Sequence, residues 1–492
     1  MNNIPEVKLG IAAVSRDCFP IQLSQKRRDA VLEACRKMKL AVQAVEPVIE
    51  NETDAMKALE DARKKGINAL VVYLGNFGPE GPETILAQRF GGPVMVAGAA
   101  EESGNDLING RGDAYCGMLN ASYNIGLRKL RPYIPEYPVG VPAEIAEMMQ
   151  GFVPVARILL GLKGLKIFSF GPRPQDFLAC NAPIKALYDL GVEIMENSEL
   201  DLYDVFLSAK GRPEIASIAA DMAKELGAGN KHPTLLEKLA QYEAGLTDFM
   251  DKNLGASTYG IFANKCWPSF EKYFGFVPCY VNSRLASRGI PVSCEVDIYG
   301  TLSEYMAACA TQLPVTLLDI NNTVPADMIA AEKSKTGDRK PNDLFMGFHC
   351  GNTPSGCLVQ HEMKFQLIMH RLMEAGKEPD ITRGTLEGRF KPGPVTVFRL
   401  QSTADTVLRA YMAQGEVLDI EPKSFGGIGV IAIPEMGRFY RHVLIEKRFP
   451  HHTALAFAHA GRALFDACRM LGVEDISVNR PKSLPYPTEN PF

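Results

Sequence analysis

Short apolar runs alternate with longer amphipathic stretches throughout the first 160 residues of this chain. The runs VKLGIAAVS, NALVVYLG and PVMVAG have the length of buried strands, whereas SQKRRDAVLEACRKMKL and TDAMKALEDARKKG have the spacing of helices. Strand and helix patterns that alternate at this length indicate βαβ units and a parallel sheet. We therefore predict a doubly wound α/β domain over residues 1–160.

Two segments of this domain are expected to face a ligand. They are VSRD, residues 14–17, and LGNFGPEG, residues 74–81, and each follows an apolar run. Open α/β sheets bind ligands beyond the carboxyl ends of their strands, so both segments should line that edge. No GxGxxG sequence follows the first strand, which disfavours a dinucleotide.

The pattern restarts and then changes along the rest of the chain. LKGLKIFSFGPRPQDF, residues 162–177, begins a second alternating stretch, which predicts a second doubly wound α/β domain over residues 161–310. Further on, PVTVFRLQ, TVLRAYMAQGEVLDI and GIGVIAIP alternate β-branched residues with turn signals and predict an antiparallel, β-rich C-terminal domain over residues 311–492. HTALAFAHAGRALFDACRMLG predicts one long closing helix that ends at Gly472.

Composition excludes several classes of partner. The formal net charge of −4 gives no electrostatic reason to expect nucleic acid or an anionic membrane. We find no run of about 18 apolar residues and no secretory pattern at the N-terminus, so we predict a cytoplasmic protein that binds a small molecule. The 11 cysteines include no CxxC pair, which predicts free thiols rather than disulfides or a zinc knuckle.

Three residues have the chemistry of a metal site. Glu295 follows the run PVSC and is expected at the carboxyl end of a strand; Asp319 is expected as the last residue of the apolar strand LPVTLLD, where an ionised carboxylate is costly without a partner. A cap or turn role is the alternative for Asp319. His452 is expected at the start of the closing helix, whose dipole would keep its imidazole neutral. Two carboxylates and one imidazole suit Mn²⁺ or Mg²⁺ better than structural zinc.

Three segments of the chain, residues 265–306, LLDINN at 317–322 and HHTALAFAHAG at 451–461, closely resemble the L-fucose/L-arabinose isomerase family. The resemblance runs in the same order over most of the chain. It implies that Glu295, Asp319 and His452 bind manganese, with Mg²⁺ or Co²⁺ as substitutes. It also implies three domains and a homo-trimer or homo-hexamer whose active sites take residues from a neighbouring subunit's first domain. Arg16 would then reach a sugar, with a structural salt bridge as the alternative.

Three further residues are predicted to contact the sugar. Trp267, the only tryptophan, would form an apolar wall against the sugar or pack in the core. His349 in GFHCGNTPSG is either a fourth ligand or a substrate contact, by similarity to a metal-binding histidine of arabinose isomerases. Asn352 belongs to the same segment and is included as a substrate contact.

The residues and the resemblance together predict a metal-dependent aldose–ketose isomerase. Glu295 and Asp319 would combine metal ligation with proton transfer through a cis-enediol. The substrate stays open between an L-fucose- or arabinose-like aldose and a 6-substituted hexose such as sulfoquinovose, whose sulfonate would need cations such as Arg16, Arg89 or Arg111. A catalytically silent sugar-binding protein and a metal hydrolase are the alternatives from other classes.

Overall fold

The structure is a computed structural model that describes residues 2–108, 110–378 and 382–490, without the side chain of His370. It is a mixed α/β structure with three sheets. In chain order the strands are β1 Leu9–Val14, β2 Val42–Ile49, β3 Ala69–Leu74, β4 Val94–Ala99, β5 Val139–Gly140, β6 Leu165–Gly171, β7 Glu193–Ser198, β8 Tyr259–Ala263, β9 Val292–Ser293, β10 Val315–Thr323, β11 Leu344–His349, β12 Glu362–Phe365, β13 Arg383–Arg389, β14 Gly393–Ser402, β15 Leu408–Val417, β16 Gly427–Ala432, β17 His452–Ala456 and β18 Asp475–Val478.

Helices follow most strands of the first half of the chain and are sparse in the second half. In chain order they are α1 Ile21–Lys37, α2 Glu52–Lys64, α3 Glu80–Phe90, α4 Ala114–Leu127, α5 Pro142–Lys163, α6 Lys185–Tyr188, α7 Glu199–Ser208, α8 Glu214–Leu226, α9 Leu236–Asn253, α10 Phe270–Phe274, α11 Cys279–Ser287, α12 Ile298–Thr311, α13 Ala326–Ala331, α14 Lys333–Thr336, α15 Met436–Phe439 and α16 Gly461–Met470.

The chain divides into two compact units. The N-terminal unit comprises Pro5–Leu160 and Phe465–Gly472, and the main unit comprises the other described residues. The N-terminal unit holds one parallel sheet with the order β2-β1-β3-β4-β5. Strands β1, β3 and β4 are buried at every position, which is why they read as unbroken apolar runs. The doubly wound domain predicted from this pattern is confirmed.

The main unit holds two sheets. The smaller is parallel with the order β7-β6-β8-β9, as the restarted alternation predicts. The larger has the order β12-β13-β16-β11-β10-β17-β14-β15-β18, and it is mixed rather than wholly antiparallel, because β13 pairs in parallel with β16 and β15 with β18. The division into three domains at residues 160 and 310 stays a prediction.

The long closing helix predicted for residues 452–472 is wrong in its first half. His452–Ala456 is strand β17, which pairs with β10 on one side and β14 on the other, and the helix begins only at Gly461. Every residue of β17 is buried, and helix α12 packs against it. A short run of buried apolar residues has no periodicity that distinguishes a strand from a helix, so the pairing with two strands decides.

Strand β10 extends beyond the apolar run that predicts it. Asp319 is not the last residue of its strand, because β10 continues through Asn322 to Thr323 in pairing with β11.

The helix α5 is long and apolar enough to cross a membrane by length and composition, although 56% of its most apolar window is buried, as in the core helix of a globular protein. All eleven cysteines are free thiols.

Candidate active site

Strands β10 and β17 bring the first two predicted ligands together. Asp319 and His452 are direct partners in the antiparallel register, and side chains at such positions lie side by side on one face of the sheet. Asp319 Oδ1 is 3.4 Å from His452 Nε2 and 3.7 Å from Nε2 of the neighbouring His451. The pairing of two strands therefore places a carboxylate beside an imidazole.

Glu295 comes from a different sheet. It lies in the tight turn between β9 and α12, where its backbone has a left-handed φ of 56°, a conformation that is uncommon for residues other than glycine. This turn places Glu295 Oε2 3.4 Å from His452 Nε2. The same imidazole nitrogen thus faces oxygens of both carboxylates, and the structure brings the three predicted ligands together.

The other ring nitrogen of His452 is held by a carboxylate. Asp297, the N-cap of α12, lies with Oδ2 2.8 Å from His452 Nδ1. Arg399 of β14 donates two hydrogen bonds to the same carboxylate, at 2.6 and 2.9 Å, and both residues are fully buried. Burial alone would raise the pKa of Asp297, but Arg399 and His452 outweigh it and hold that pKa well below its usual value. Asp297 is therefore a permanent anion that fixes the ring of His452.

The protonation of His452 differs from the expected one. His452 begins a strand rather than a helix, so the dipole of its own helix, expected to keep the ring neutral, is not present. Burial would lower the pKa of His452, but its contact with Asp297, reinforced by Cys180 and Glu295, raises that pKa well above its usual value. This shift favours the charged imidazolium, whose two nitrogens face the carboxylates of Glu295, Asp297 and Asp319.

The donor set fits a divalent cation. Glu295 Oε2 and Asp319 Oδ1 are both buried and make no hydrogen bond within the described part of the chain. Buried carboxylate oxygens without partners are unfavourable unless a cation compensates them. A divalent ion bound by these oxygens and His452 Nε2 would replace the imidazolium proton, as metal binding to histidine requires. Asp319, His451 and His452 also form a cluster whose ligand atoms lie within 4.8 Å of one another.

His349, at the end of β11, offers a hydrogen-bond donor to the same site. Its Nδ1 accepts the backbone N–H of Cys350 at 2.9 Å, so that in the neutral ring the proton lies on Nε2. Burial lowers the pKa of His349 and favours this neutral form. Nε2 lies 3.9 Å from Glu295 Oε2. An Nε2–H group binds oxygen acceptors and has no lone pair for a metal, so this geometry favours the substrate contact over the fourth ligand.

A cavity of about 370 Å³ adjoins these groups, which is within the usual size of a small-molecule site. Glu295, Asp319, His349, His451 and His452 line one part of it. Aromatic and aliphatic side chains line much of the rest, and these are Phe177, Trp267, Phe348, Ile368 and Met369. A lining that combines polar groups with aromatic and aliphatic side chains suits a sugar, which has hydroxyl groups and an apolar ring face.

A larger cavity, of about 820 Å³, lies elsewhere in the main unit. Charged side chains that line it form ion pairs, as Lys231 and Lys364 do with Glu362 and Arg389 does with Glu421. The smaller cavity, by contrast, adjoins two buried carboxylate oxygens that make no hydrogen bond to any described residue. We therefore take the smaller cavity as the candidate active site, on its chemistry rather than on its size.

The other predicted sugar contacts have different positions. Trp267 lines the cavity and meets the ring of Phe177 edge to face at 5.7 Å. Asn352 is buried, with an Oδ1 that has no partner, but the described residues that line the cavity do not include it. Arg16 belongs to the N-terminal unit, where it lies 3.6 Å from Glu80 and stacks on Phe77. Within one chain Arg16 therefore forms a structural salt bridge, which is the alternative to its predicted contact with the sugar.

Two residues that hold the site together were not predicted from the sequence. Asp297 occurs in the quoted segment CEVD, but its role was missed because nothing local shows that it faces His452. Arg399 stands inside the apolar strand PVTVFRLQ, and a buried guanidinium needs an anionic partner. That signal could have pointed to a buried ion pair, although only the tertiary structure identifies Asp297 as the partner.

Two family models match this chain, one in its N-terminal part and one in its C-terminal part. The family model described as fucose/sulfoquinovose isomerase, N-terminal domain, matches residues 10–163. The model described as L-fucose isomerase, C-terminal domain, matches residues 347–477, so the two matches together cover more than half of the chain.

Curated relatives match at low identity over long stretches. The sulfoquinovose isomerase of Priestia aryabhattai is 22% identical over 475 residues, which are 94% of this chain and 97% of that protein. The sulfoquinovose isomerase of Alkalicoccus urumqiensis is 24% identical over 341 residues, 68% of this chain and 70% of that protein. The sulfoquinovose isomerase of Clostridium sp. (strain MSTE9) is 25% identical over 305 residues, 61% and 62% of the two chains. With the family matches at both ends of the chain, these findings show that the protein belongs to the fucose isomerase-like family of aldose–ketose isomerases.

Proposed function

We propose that this isomerase depends on a divalent metal ion held by Glu295, Asp319 and His452. The observation that carries the proposal is the pair of buried carboxylate oxygens without hydrogen-bond partners, each 3.4 Å from His452 Nε2. Mn²⁺ fits this oxygen-rich set best, and Mg²⁺ or Co²⁺ would be substitutes. We also propose that the protein acts in the cytoplasm.

The proposed reaction moves a proton between C1 and C2 of the sugar through a cis-enediol. The metal would polarise the sugar oxygens at these two carbons. Glu295 Oε2 and Asp319 Oδ1 each lie 3.4 Å from His452 Nε2, and these two carboxylates would remove and return the proton. Asp297 would keep His452 in position, and the Nε2–H of His349 would donate to a sugar oxygen. Trp267 and Phe177 would exclude water from one side of the cavity.

For the substrate we favour an aldose with an uncharged end. Arg371 is the one arginine or lysine among the described residues that line the cavity; its side chain is 78% exposed and paired with Glu374. The apolar wall suits the ring or methyl group of a neutral L-fucose- or arabinose-like sugar. Sulfoquinovose is the second candidate, because the relatives reported above are named sulfoquinovose isomerases. The exposed side chain of Arg371 could also rotate towards a sulfonate group. Arg111 pairs with Asp113 in the N-terminal unit and gives sulfoquinovose no support of its own.

We further propose that the protein is a homo-oligomer. One face of α4 exposes four large apolar side chains, Tyr115, Leu119, Tyr123 and Leu127, each 63–69% exposed. The opposite side of α4 is buried, and it consists of Ala114, Gly117, Met118, Ala121 and Ile125. No charged residue occurs from Ala114 to Leu127. An uncharged apolar helix face of this length is typical of a contact with another copy of the same surface.

The proposed function is tested with metal-stripped protein and a panel of aldoses. L-fucose, D-arabinose, L-arabinose and sulfoquinovose are incubated with and without Mn²⁺, and ketose formation and deuterium uptake from solvent are followed. We expect ketose that carries solvent deuterium only when the metal is present. Electron paramagnetic resonance of Mn²⁺ measures binding independently of turnover.

Two variants complete the test. Glu295→Gln and Asp319→Asn should weaken Mn²⁺ binding and abolish turnover, whereas Glu387→Gln, which alters a carboxylate outside this cavity, should change neither. Full activity in stripped protein would contradict the metal proposal. Tight Mn²⁺ binding without turnover on any sugar would point to a sugar outside the panel or to the catalytically silent alternative.

A further inference from the structure

Gln366, just after β12, lines the same cavity. Its buried side-chain amide makes hydrogen bonds to described residues through its oxygen but not through its nitrogen. Its side chain is 2% exposed. The amide oxygen Oε1 accepts the backbone N–H groups of Ile368 at 2.7 Å and Met369 at 3.2 Å. The amide nitrogen Nε2 is buried and makes no hydrogen bond to the described residues. The residue is thus anchored at its oxygen and unpaired at its nitrogen.

The orientation of this amide is not interchangeable. Oxygen and nitrogen of a glutamine are distinguished by their partners, and here two N–H donors converge on one end of the group. Rotating the amide by half a turn would set its NH₂ against those two donors. The backbone N–H of Gln366 is itself held by the carbonyl of Thr382 at 2.7 Å. The unpaired end of the amide is therefore the donor end.

The cavity thus presents two kinds of buried polar atom that make no hydrogen bond to the described residues. Glu295 Oε2 and Asp319 Oδ1 are acceptors and require a cation, whereas Gln366 Nε2 is a donor and requires an oxygen. A buried donor without an acceptor costs free energy, and a ligand that supplies the acceptor removes that cost. The metal proposal accounts for the two carboxylates and leaves Gln366 unexplained.

We propose that Gln366 is a substrate-recognition residue whose Nε2 donates a hydrogen bond to an oxygen of the bound sugar away from C1 and C2. This inference rests on the proposed function, because it assumes that a sugar occupies this cavity. The acceptor is a hydroxyl oxygen in a neutral aldose or a sulfonate oxygen in sulfoquinovose. A site built to hydrogen-bond one oxygen discriminates strongly against an analogue that lacks it.

The closing experiment measures binding rather than turnover. Calorimetry with Mn²⁺-loaded protein compares L-fucitol, alditols that each lack one of its hydroxyl groups, sulfoquinovose and D-glucose. The variant Gln366→Glu keeps an oxygen for the N–H groups of Ile368 and Met369 but removes the donor. Gln366→Met removes both functions without adding charge. Mn²⁺ affinity and melting temperature are measured for every protein.

We expect wild-type protein to bind one deoxy alditol at least ten-fold more weakly than L-fucitol, and both variants to lose that preference while Mn²⁺ affinity stays within about three-fold. Gln366→Glu should melt near the wild-type temperature. If sulfoquinovose is the tighter ligand, its preference over D-glucose should be lost in the same way. Variants that keep the wild-type preference overturn the inference alone. Failure of Mn²⁺-loaded wild-type protein to bind any of these compounds overturns the inference together with the proposed substrate class.

Discussion

At the scale of single residues, the site depends on the buried charges around His452. Asp297 contacts both His452 and Arg399, and all three are fully buried. Glu304 of α12 is equally buried and accepts a hydrogen bond from the Ser293 hydroxyl; burial, and to a lesser extent the charge of Asp297, raise its pKa to about 8. We therefore expect Asp297 to be ionised and Glu304 to be protonated at neutral pH. Replacing each carboxyl group with its amide tests this difference.

Asp297→Asn should weaken both the metal site and the fold. The change removes the anion that orients His452, and loss of such a partner lowers metal affinity by about 10–100-fold. It also leaves the Arg399 guanidinium buried without a counter-charge, at a cost of about 3–5 kcal/mol. Mn²⁺ titration and thermal unfolding measure the two effects. The control Glu304→Gln replaces a neutral acid with a neutral amide and should cost less than about 1 kcal/mol; equal losses in both variants would contradict this assignment of charge.

The raised pKa of Glu304 also predicts a dependence of stability on pH. The folded protein retains the Glu304 proton up to about pH 8, whereas the unfolded chain loses it near the ordinary value of 4.5. Between these values the unfolded state binds fewer protons, so stability from this group falls as pH rises, by up to about 1.4 kcal/mol per pH unit. Glu304→Gln removes this contribution. The melting temperature of the variant relative to wild type should therefore rise from pH 5 to pH 8, and a constant difference would show that Glu304 does not titrate in this range.

At the scale of elements, the turn between β9 and α12 and the strand β17 decide the site. Glu295 occupies a left-handed backbone position in that turn, and β17 carries His452 between two other strands. Neither feature follows from local propensity. A glycine would be preferred at the left-handed position that Glu295 occupies, and the sequence of β17 is equally compatible with a helix. Both are held by tertiary contacts, with α12 packed on β17.

The end of α12 offers a test of backbone strain at the same scale. Gln312 is an exposed C-cap with a left-handed φ of 56°. Gln312→Gly should stabilise the main unit by about 1 kcal/mol, because glycine adopts this conformation without strain. Thr311→Gly, one residue earlier within the helix, should not stabilise it, since glycine is unfavourable inside helices. Thermal unfolding of both variants provides the comparison, and a lower melting temperature for Gln312→Gly would rule out strain at this cap.

At the scale of the whole molecule, the two units contribute different parts of the proposed enzyme. The main unit contains the complete ligand cluster and its cavity. The N-terminal unit contributes Arg16 at the carboxyl edge of its own parallel sheet and the exposed apolar face of α4. That face extends from Tyr115 to Leu127, over about 18 Å of helix. Its two tyrosines alone present on the order of 250 Å² of surface, a substantial part of the roughly 800 Å² per partner in a stable interface.

Opposite charges placed on α4 test the proposed contact between copies. Leu119→Lys and Leu119→Glu should each lower the mass of the assembly in light scattering, because like charges then meet at the contact. An equimolar mixture should recover at least part of the wild-type mass, which a folding defect would not. Cys116 is exposed on the same face, so a short bis-maleimide should cross-link wild-type copies and Cys18→Ser but not Cys116→Ser. Wild-type mass in both single variants would exclude this face as the contact.

The sequence by itself determined the parts of this protein that depend on local pattern. Fully buried parallel strands read as apolar runs, so the two α/β sheets could be predicted, and resemblance in ordered segments singled out Glu295, Asp319 and His452, whose roles stay predictions. Only the tertiary structure decided what depends on long-range pairing. It showed β17 as a strand, joined Asp297 to Arg399 across 102 positions and left the Gln366 amide nitrogen without a hydrogen bond to the described residues, because burial and partners are set by the folded chain.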